Sequence, residues 1–562
     1  MKLALEHGAF NHWSEGGRIE VSREAFWRLV DGYLWLIEGD GRVGGFALLV
    51  AKSSVDAMAV FVAAIAAGRE VSIFPPSSPR QDAEAYLQQQ REAVLKISPS
   101  SILLLEAEGD GIGEIDPRLG QLIVRLPRLS QDADLAGAST GDGRRRFQEA
   151  LRGRQGPLFW QHSSGTTGIK KAVGVSGAAL IGQFESYWPV VAAGLGGEPI
   201  RVASWLPLYH DMGLLTGLLL PLLGGSDIAF MDPFDWVDDP GRFLEMIQAE
   251  RSSVAWMPNF AFRHFVRLEA AMPRCDLSSV KLWASCSEPC RYADALAFEA
   301  AFAGRGVPPG SVLGCYAMAE TVFAVSHLAA GGQRALMVPR GLAPGRSVID
   351  AGAYETCERA PQPPPGWQAV LSSGAPIPGV ETALFLDGER LSREGTHGEI
   401  GLRGAFVFDG YRGLGRTESG LRDDGFFLTG DLGTILDGRL YVLGRSKEVI
   451  IVNGKNIYAG DVEERVGDIA GVRPGRAAAF GVDNPLSGSE ELVVIAEKDP
   501  SVDIPEAAIR AAISAAISDA FLVKPYDVRV LAWRWLVKSS SGKVSRDKNK
   551  SKYLRDFRPD LS

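Results

Sequence analysis

Residues 161–173 read QHSSGTTGIKKAV, directly after the apolar run Leu158-Phe159-Trp160. Two serines, two threonines, two glycines and two lysines are packed into this stretch. Glycine lets a loop wrap closely around a ligand. Hydroxyls and free backbone N–H groups donate to phosphate oxygens, and lysine adds charge. The segment therefore predicts a loop that holds a polyphosphate. It is not a Walker A loop, because no GxxxxGK[ST] can be read in it. The competing reading is a polar hairpin turn, but the hydroxyl density exceeds what a turn needs.

Around this loop the pattern is that of a layered α/β protein. Residues 45–50 read as a strand, 55–67 as an apolar helix and 70–74 as a second strand, a βαβ unit. Similar alternation continues to about residue 330. Residues 367–442 change character, with short strands at 369–371, 381–386 and 399–403 between Gly and Asp turns, which suggests a small β-rich barrel. Beyond about residue 446 the pattern is mixed again: a strand at 449–452, a helix from Asp461, a strand at 492–497 and a helix over 505–521. PQPPP at 361–365 reads as an extended linker-like piece.

The segment Ser163-Ser164-Gly165-Thr166-Thr167-Gly168-Ile169-Lys170-Lys171 resembles the phosphate loop of the adenylate-forming superfamily. That superfamily includes acyl-CoA synthetases, peptide-synthetase adenylation domains, luciferases and fatty acyl-AMP ligases. Lys170 stands where the family pattern usually has proline, and Lys171 matches its lysine. The resemblance spans residues 46–543. It implies a large N-terminal domain (residues 1–446) of two α/β layers plus a small β-barrel at about 335–442. A mobile α+β C-terminal domain (447–562) would follow.

Further segments match in the family's order. WLPLYHDMGL at 205–214 resembles the fatty acyl-AMP ligase form of its motif, which implies His210 near the reacting carboxylate and the mouth of the acyl pocket, oriented by Asp211. SCSEP at 285–289 is a partial match to a GAEP-like adenine-edge segment and brings in Ser287 and Glu288. GCYAMAET at 314–321 resembles YGxAE, with Ala317 in place of glycine. Tyr316 offers an aromatic face to adenine, Glu320 an oxygen ligand to Mg²⁺, and Thr321 completes the segment. LTGDL at 428–432 gives Asp431 to the ribose hydroxyls, for which a carboxylate acceptor is suited. In GRSKEVIIVNGKNIYAGDVE at 444–463, Arg445 matches the ribose-contacting arginine and Lys447 the hinge of the C-terminal domain. KSSSGKVSR at 538–546 resembles the terminal lysine motif, with Val537 where proline is common, and implies that Lys543 enters the active site on closure.

Bulk properties fit such an enzyme. A chain of 562 residues exceeds one compact core. Its net charge of −9 does not favour nucleic acid. The opening MKLALEHGAF carries acidic Glu6 and no apolar h-region, so no signal peptide is expected. The most apolar run, residues 214–223, is too short to span a bilayer and predicts a buried helix. Five cysteines at low density argue against a disulfide framework and for a reduced, cytoplasmic protein. Cys286 and Cys290 have no histidine at metal-ligand spacing nearby.

The resemblance implies ATP and Mg²⁺ as cofactors and two half-reactions. A carboxylate attacks the α-phosphorus of ATP and expels pyrophosphate, with Thr166, Thr167, Gly168 and Lys171 cradling the β- and γ-phosphates and Lys543 bridging carboxylate and α-phosphate. The acyl group then passes to a thiol. The LPLYHDMGL form, the GxNxYxxDVE form and the long stretch between residues 336 and 374 resemble fatty acyl-AMP ligases, and imply an apolar, fatty acid substrate and the phosphopantetheine of an acyl carrier protein as acceptor. Free CoA is the alternative acceptor. A catalytically weak scaffold and an amino-acid adenylation domain are the remaining readings. The aromatic segment WMPNFAFRHF at 256–265, with Trp205 and Trp283, lines either the acyl pocket or the core. Lys543, Arg546, Lys548, Lys550, Lys552, Arg555 and Arg558 form a basic stretch that would suit an acidic carrier.

Overall fold

The computed structural model describes residues 3–42, 44–76, 91, 94, 97–105, 117–131, 141–162, 171–327, 332–357, 363–364, 366–452, 455–484, 489–538 and 543–558. The expected βαβ unit is present. Phe46–Val50 and Glu70–Phe74 are parallel partners, joined by the helix Val55–Ala66. Phe46–Val50 is a continuous, fully buried apolar run, and Glu70–Phe74 is buried from Val71 onward, because both sheet faces are covered. Every residue of the helix is buried, and Ser54 caps its first turn through the Ala57 N–H.

This unit lies inside a six-stranded sheet in the order Ile123–Leu126, Ser101–Leu105, Phe46–Val50, Glu70–Phe74, Pro157–His162, Ala172–Ser176. The last two strands are antiparallel, and the segment that joins them is the glycine- and hydroxyl-rich loop. Ser163 to Lys170 lie outside the described residues.

A second, nine-stranded sheet runs in the order Ala375–Pro376, Ala324–His327, Val312–Ala317, Leu282–Cys286, Val254–Pro258, Arg201–Ser204, Asp227–Met231, Ala9–Ser14, Gly17–Ser22. From Val312–Ala317 to Ala9–Ser14 the neighbours are parallel, with antiparallel strands at both edges. One continuous apolar core joins the two sheets, and the helix Gly177–Gly194 packs into it. The run at 214–223 is a buried helix as expected, starting at Asp211 and carrying a π-helical stretch over Leu215–Leu219. Among the described residues no helix is long and apolar enough to cross a membrane.

Residues 335–445 form two antiparallel sheets. One has three strands (Tyr354–Thr356, Ala335–Pro339, Trp367–Leu371), and the other is a five-stranded meander from Val380–Leu386 to Arg439–Arg445. Leu336, Val338, Val370, Tyr441 and Leu443 pack the two together. Of PQPPP, only Pro363 and Pro364 are described.

Beyond the short 3₁₀ turn Ser446–Glu448 the chain builds a separate core. It contains the hairpin Val449–Val452 and Lys455–Tyr458, the helix Ala459–Gly467, a three-stranded sheet and the helix Glu506–Phe521. These helices start within two residues of their sequence-based limits. The final helix Arg546–Phe557 packs Tyr553 against Phe480. The basic stretch is largely consumed locally. Arg546 pairs with Glu448 and Glu463, Lys552 donates to the Trp535 carbonyl, and Arg555 pairs with Asp556.

Candidate active site

The ends of the nine-stranded sheet, the five-stranded meander and the C-terminal unit meet at one place. Asp431 and Arg445 are cross-strand partners in the meander. Asp431 Oδ1 accepts the Arg445 Nε–H at 3.0 Å, and Oδ2 accepts the Tyr316 hydroxyl at 2.6 Å. The Asp431 N–H is anchored on Thr429 Oγ1 at 3.1 Å. Tyr316 comes from the nine-stranded sheet, so this carboxylate ties two sheets together. Each of its oxygens keeps a second lone pair, the chemistry needed to accept two vicinal hydroxyls. Nearby Asp431 holds the Arg445 guanidinium firmly protonated.

Glu320 lies a few residues past Tyr316. Its carboxylate is buried and accepts the Tyr411 hydroxyl. Burial pushes its pKa up, and the negative charge of Asp211 pushes the same way. The Lys171 ammonium sits 4.3 Å from the centre of the Tyr411 ring, a cation–π contact. Tyr411 bridges backbone to Val173, and Arg412 N–H donates to the Ala172 carbonyl at 3.0 Å. The strand leaving the phosphate loop is thereby pinned beside Glu320. Lys171 and Glu320 are brought together as the sequence implied, through Tyr411, which the sequence reading missed.

Thr321 sits in the same loop as Glu320. Its hydroxyl hydrogen-bonds the carbonyls of Met318 and Phe323 at 3.1 and 2.9 Å, within its own loop. The next residue, Val322, has φ +65° and ψ −51°. The Phe323 N–H donates to the Thr321 carbonyl at 2.7 Å, so this is a γ-turn, a strained form that a β-branched residue rarely adopts. Ser287 also has positive φ, +65°. Strained backbone of this kind clusters at functional sites.

Ser287 presents its carbonyl oxygen to Lys543, whose Nζ donates at 2.6 Å across 256 positions of sequence. The ammonium also lies close enough to Asp211 and Glu288 to favour their ionised forms. Burial dominates, and both carboxyls have raised pKa values. His210 caps the helix that Asp211 begins, with its ring 5.1 Å from that of Tyr209. Asp211 Oδ1 accepts the Met212 N–H at 2.8 Å, which fixes its carboxylate at the first turn of its own helix, next to His210. Lys447 is exposed in the turn between the meander and the C-terminal unit, where Ser446 Oγ donates to the Gly430 carbonyl at 3.1 Å.

An ionic clasp holds the C-terminal unit here. Arg263 and Arg291 both reach Glu464, the first at 2.7 Å. Arg340 reaches Asp461 at 3.0 Å, and Arg263 also contacts Asp294. The acids Asp461 and Glu464 sit on the helix Ala459–Gly467. The sequence reading found none of these pairs, because arginines and acids on helix faces carry no local signal.

The chain is similar to known proteins. A family model described as AMP-binding enzyme matches residues 35–412. Long-chain-fatty-acid–AMP ligase FadD32 of Mycolicibacterium smegmatis is 30% identical over 446 residues, which is 70% of this chain and 68% of FadD32. A Mycobacterium tuberculosis protein named provisionally as fatty-acid–CoA ligase fadD25 is 28% identical over 92% of this chain and 88% of its own length. A solved chain from work on fatty acyl-adenylate ligases of E. coli and L. pneumophila superposes with TM-score 0.79 at 21% identity, covering 98% of this chain and 96% of that one.

Proposed function

Because the chain belongs to the AMP-binding enzyme family, we propose that it activates an apolar, fatty carboxylic acid with ATP. The product is acyl-AMP, pyrophosphate leaves, and the acyl group passes to the phosphopantetheine thiol of an acyl carrier protein in the cytoplasm. The observation that carries this reading is Lys543 docked on the Ser287 carbonyl, near Asp211 and Glu288. It is the arrangement a terminal lysine needs for the first half-reaction.

The first barrier is electrostatic, since a carboxylate must approach a polyphosphate. Aligned donors and cations lower it. Lys543 supplies positive charge where carboxylate and α-phosphate meet. Asp431 and Arg445 hold the ribose, with Tyr316 against the adenine. Ser163 to Gly168 and Lys171 cradle the β- and γ-phosphates, and Ser287 and Glu288 border the adenine edge. His210 stands at the carboxylate end of the acid. Glu320, a buried carboxylate whose hydrogen bond comes from a neutral hydroxyl, suits a divalent cation. Mg²⁺ bound there would neutralise phosphate charge. The clasp keeps the C-terminal unit closed, which excludes water from the mixed anhydride. Lys447 is the hinge for the later movement of residues 447–562 relative to 1–446.

CoA as acceptor is the second reading, favoured by the similarity to fadD25 over most of the chain. Pyrophosphate release is measured with ATP and Mg²⁺ across saturated fatty acids, aryl acids and amino acids. Thioester formation is followed with CoA and with a phosphopantetheinylated carrier. Fatty-acid activation with transfer only to the carrier is the expected result. Efficient CoA thioester formation makes the enzyme an acyl-CoA ligase. Silence with every acid refutes activation altogether.

A further inference from the structure

Inward from Lys543 the side chains lead to a buried polar cluster that the proposed chemistry does not use. Ser287, which holds Lys543 through its carbonyl, turns its hydroxyl to Met212 Sδ at 3.7 Å and Cys286 Sγ at 4.0 Å. The thiols of Cys286 and Cys315 interact across neighbouring strands. Cys315 Sγ is 3.8 Å from the hydroxyl of Tyr187, on the helix Gly177–Gly194. These contacts lead from Ser287, which holds Lys543, into the core between that helix and the sheet.

At its inner end the hydrogen-bonding inventory does not close. The Tyr187 hydroxyl accepts the Trp256 indole N–H at 2.9 Å and lies 3.2 Å from His327 Nδ1. Burial lowers the His327 pKa to about 4, so the imidazole is neutral. Imidazole nitrogen is a better acceptor than a thiol, so the Tyr187 O–H points to Nδ1 and the proton of the ring sits on Nε2. That Nε2 is buried without a hydrogen-bond partner among the described residues. One turn before Tyr187, Gln183 is fully buried, and its Oε1 accepts the Phe323 N–H at 3.1 Å. This fixes the amide orientation and leaves Gln183 Nε2 also without a partner among the described residues. Phe323 stacks edge-on against Tyr187 at 5.8 Å, so both orphaned donors border one aromatic patch. Buried donors left unpaired cost free energy, and native interiors seldom tolerate two together.

We propose that Gln183 and His327, flanking Tyr187, form a polar floor to the acyl pocket that selects acids carrying a hydrogen-bond-accepting oxygen, such as a ketone, along the chain. This rests on the acid-activating reading above and narrows its substrate class. An oxygen acceptor there satisfies donors that a plain hydrocarbon chain leaves unpaired, the situation in which sites discriminate most strongly.

The test measures pyrophosphate release for straight-chain acids and for keto acids of equal length, with the carbonyl moved stepwise along the chain. At one position of the ketone, kcat/KM is expected to exceed that of the plain acid by about tenfold or more. His327→Phe and Gln183→Met bring that ratio toward one, and His327→Gln, which keeps an N–H donor, restores part of it. Thermal melting with ATP checks that the variants are folded. The ratio in the unaltered enzyme needs no variant. Plain acids equal to or better than every keto partner overturn the polar floor while leaving acid activation intact, as does a ratio that survives both substitutions. Absence of pyrophosphate release with every acid overturns acid activation and this inference with it.

Discussion

The Lys543 ammonium donates to the Ser287 carbonyl at 2.6 Å, joining the C-terminal unit to the candidate site. The contact is to a neutral carbonyl, which positions the lysine at the site. Lys543→Ala is therefore expected to slow adenylate formation by about 10²–10³-fold, the range for removing one preorganised charge-stabilising group. Transfer of the acyl group from supplied acyl-AMP to the thiol should change far less. ATP–pyrophosphate exchange and single-turnover transfer measure the two steps separately. Equal losses in both would mean that Lys543 acts through folding or closure instead.

Asp431 holds Tyr316 and Arg445 with different oxygens. Asp431→Asn removes the charge and converts one of the two acceptors into a donor, so the amide can keep only one of the two contacts. The KM for ATP is expected to rise about tenfold or more, with Tyr316→Phe giving a smaller rise, since it removes one of the two contacts. Steady-state kinetics with ATP varied decide the point. An Asp431→Asn enzyme with unaltered KM for ATP would remove the carboxylate from the nucleotide site.

The residues that declare chemistry locally were legible, and those that act through tertiary contact were not. The unit from Phe46 to Phe74 could be read because one continuous apolar strand, a fully buried helix and a second strand follow one another with short connections. Tyr316, Glu320, Asp431 and Lys543 stand in ordered motifs. Tyr411 does not, since its link to Glu320 spans 91 residues and exists only because Val173 and Tyr411 bridge. Thr321 was found at the right place, but the γ-turn at Val322 directs its hydroxyl to its own loop, a backbone detail with no sequence signature. Within the basic C-terminal stretch, Arg546 is an internal strut between Glu448 and Glu463, a role that only the tertiary pairing reveals.

The clasp of Arg263 and Arg291 on Glu464 joins the two parts of the chain. Side-chain exposures of 20–30% for these groups place the pairs between surface and buried ion pairs. Coupling of about 1–3 kcal/mol is expected for Arg291 with Glu464. A double-mutant cycle with alanine, read by denaturant unfolding, measures it. Opening the clasp should also loosen the turn Ser446–Glu448 around the already exposed Lys447, so Glu464→Lys should be cut near Lys447 by trypsin faster than the parent, and added salt should narrow the difference. Additive single-mutant effects and unchanged cutting would show that the clasp does not hold closure.

Glu320 is held at a cost to stability. Burial raises its folded pKa above the unfolded value, so between the two the folded state binds more protons than the unfolded state. Stability contributed by the protonated carboxyl is therefore present below the unfolded pKa of about 4.3 and is lost as pH rises through the folded pKa. Glu320→Gln removes that penalty. The ATP-free variant should melt higher than the parent at pH 7–8, and the gain should vanish as pH falls below about 4.3. Its adenylation rate should nonetheless drop sharply, because the amide is a poorer ligand for a divalent cation. Melting curves across pH 4–8 with pyrophosphate exchange at pH 7.5 test both halves. A variant that melts lower than the parent at neutral pH would mean that the contact from Tyr411 to the charged carboxylate outweighs its burial.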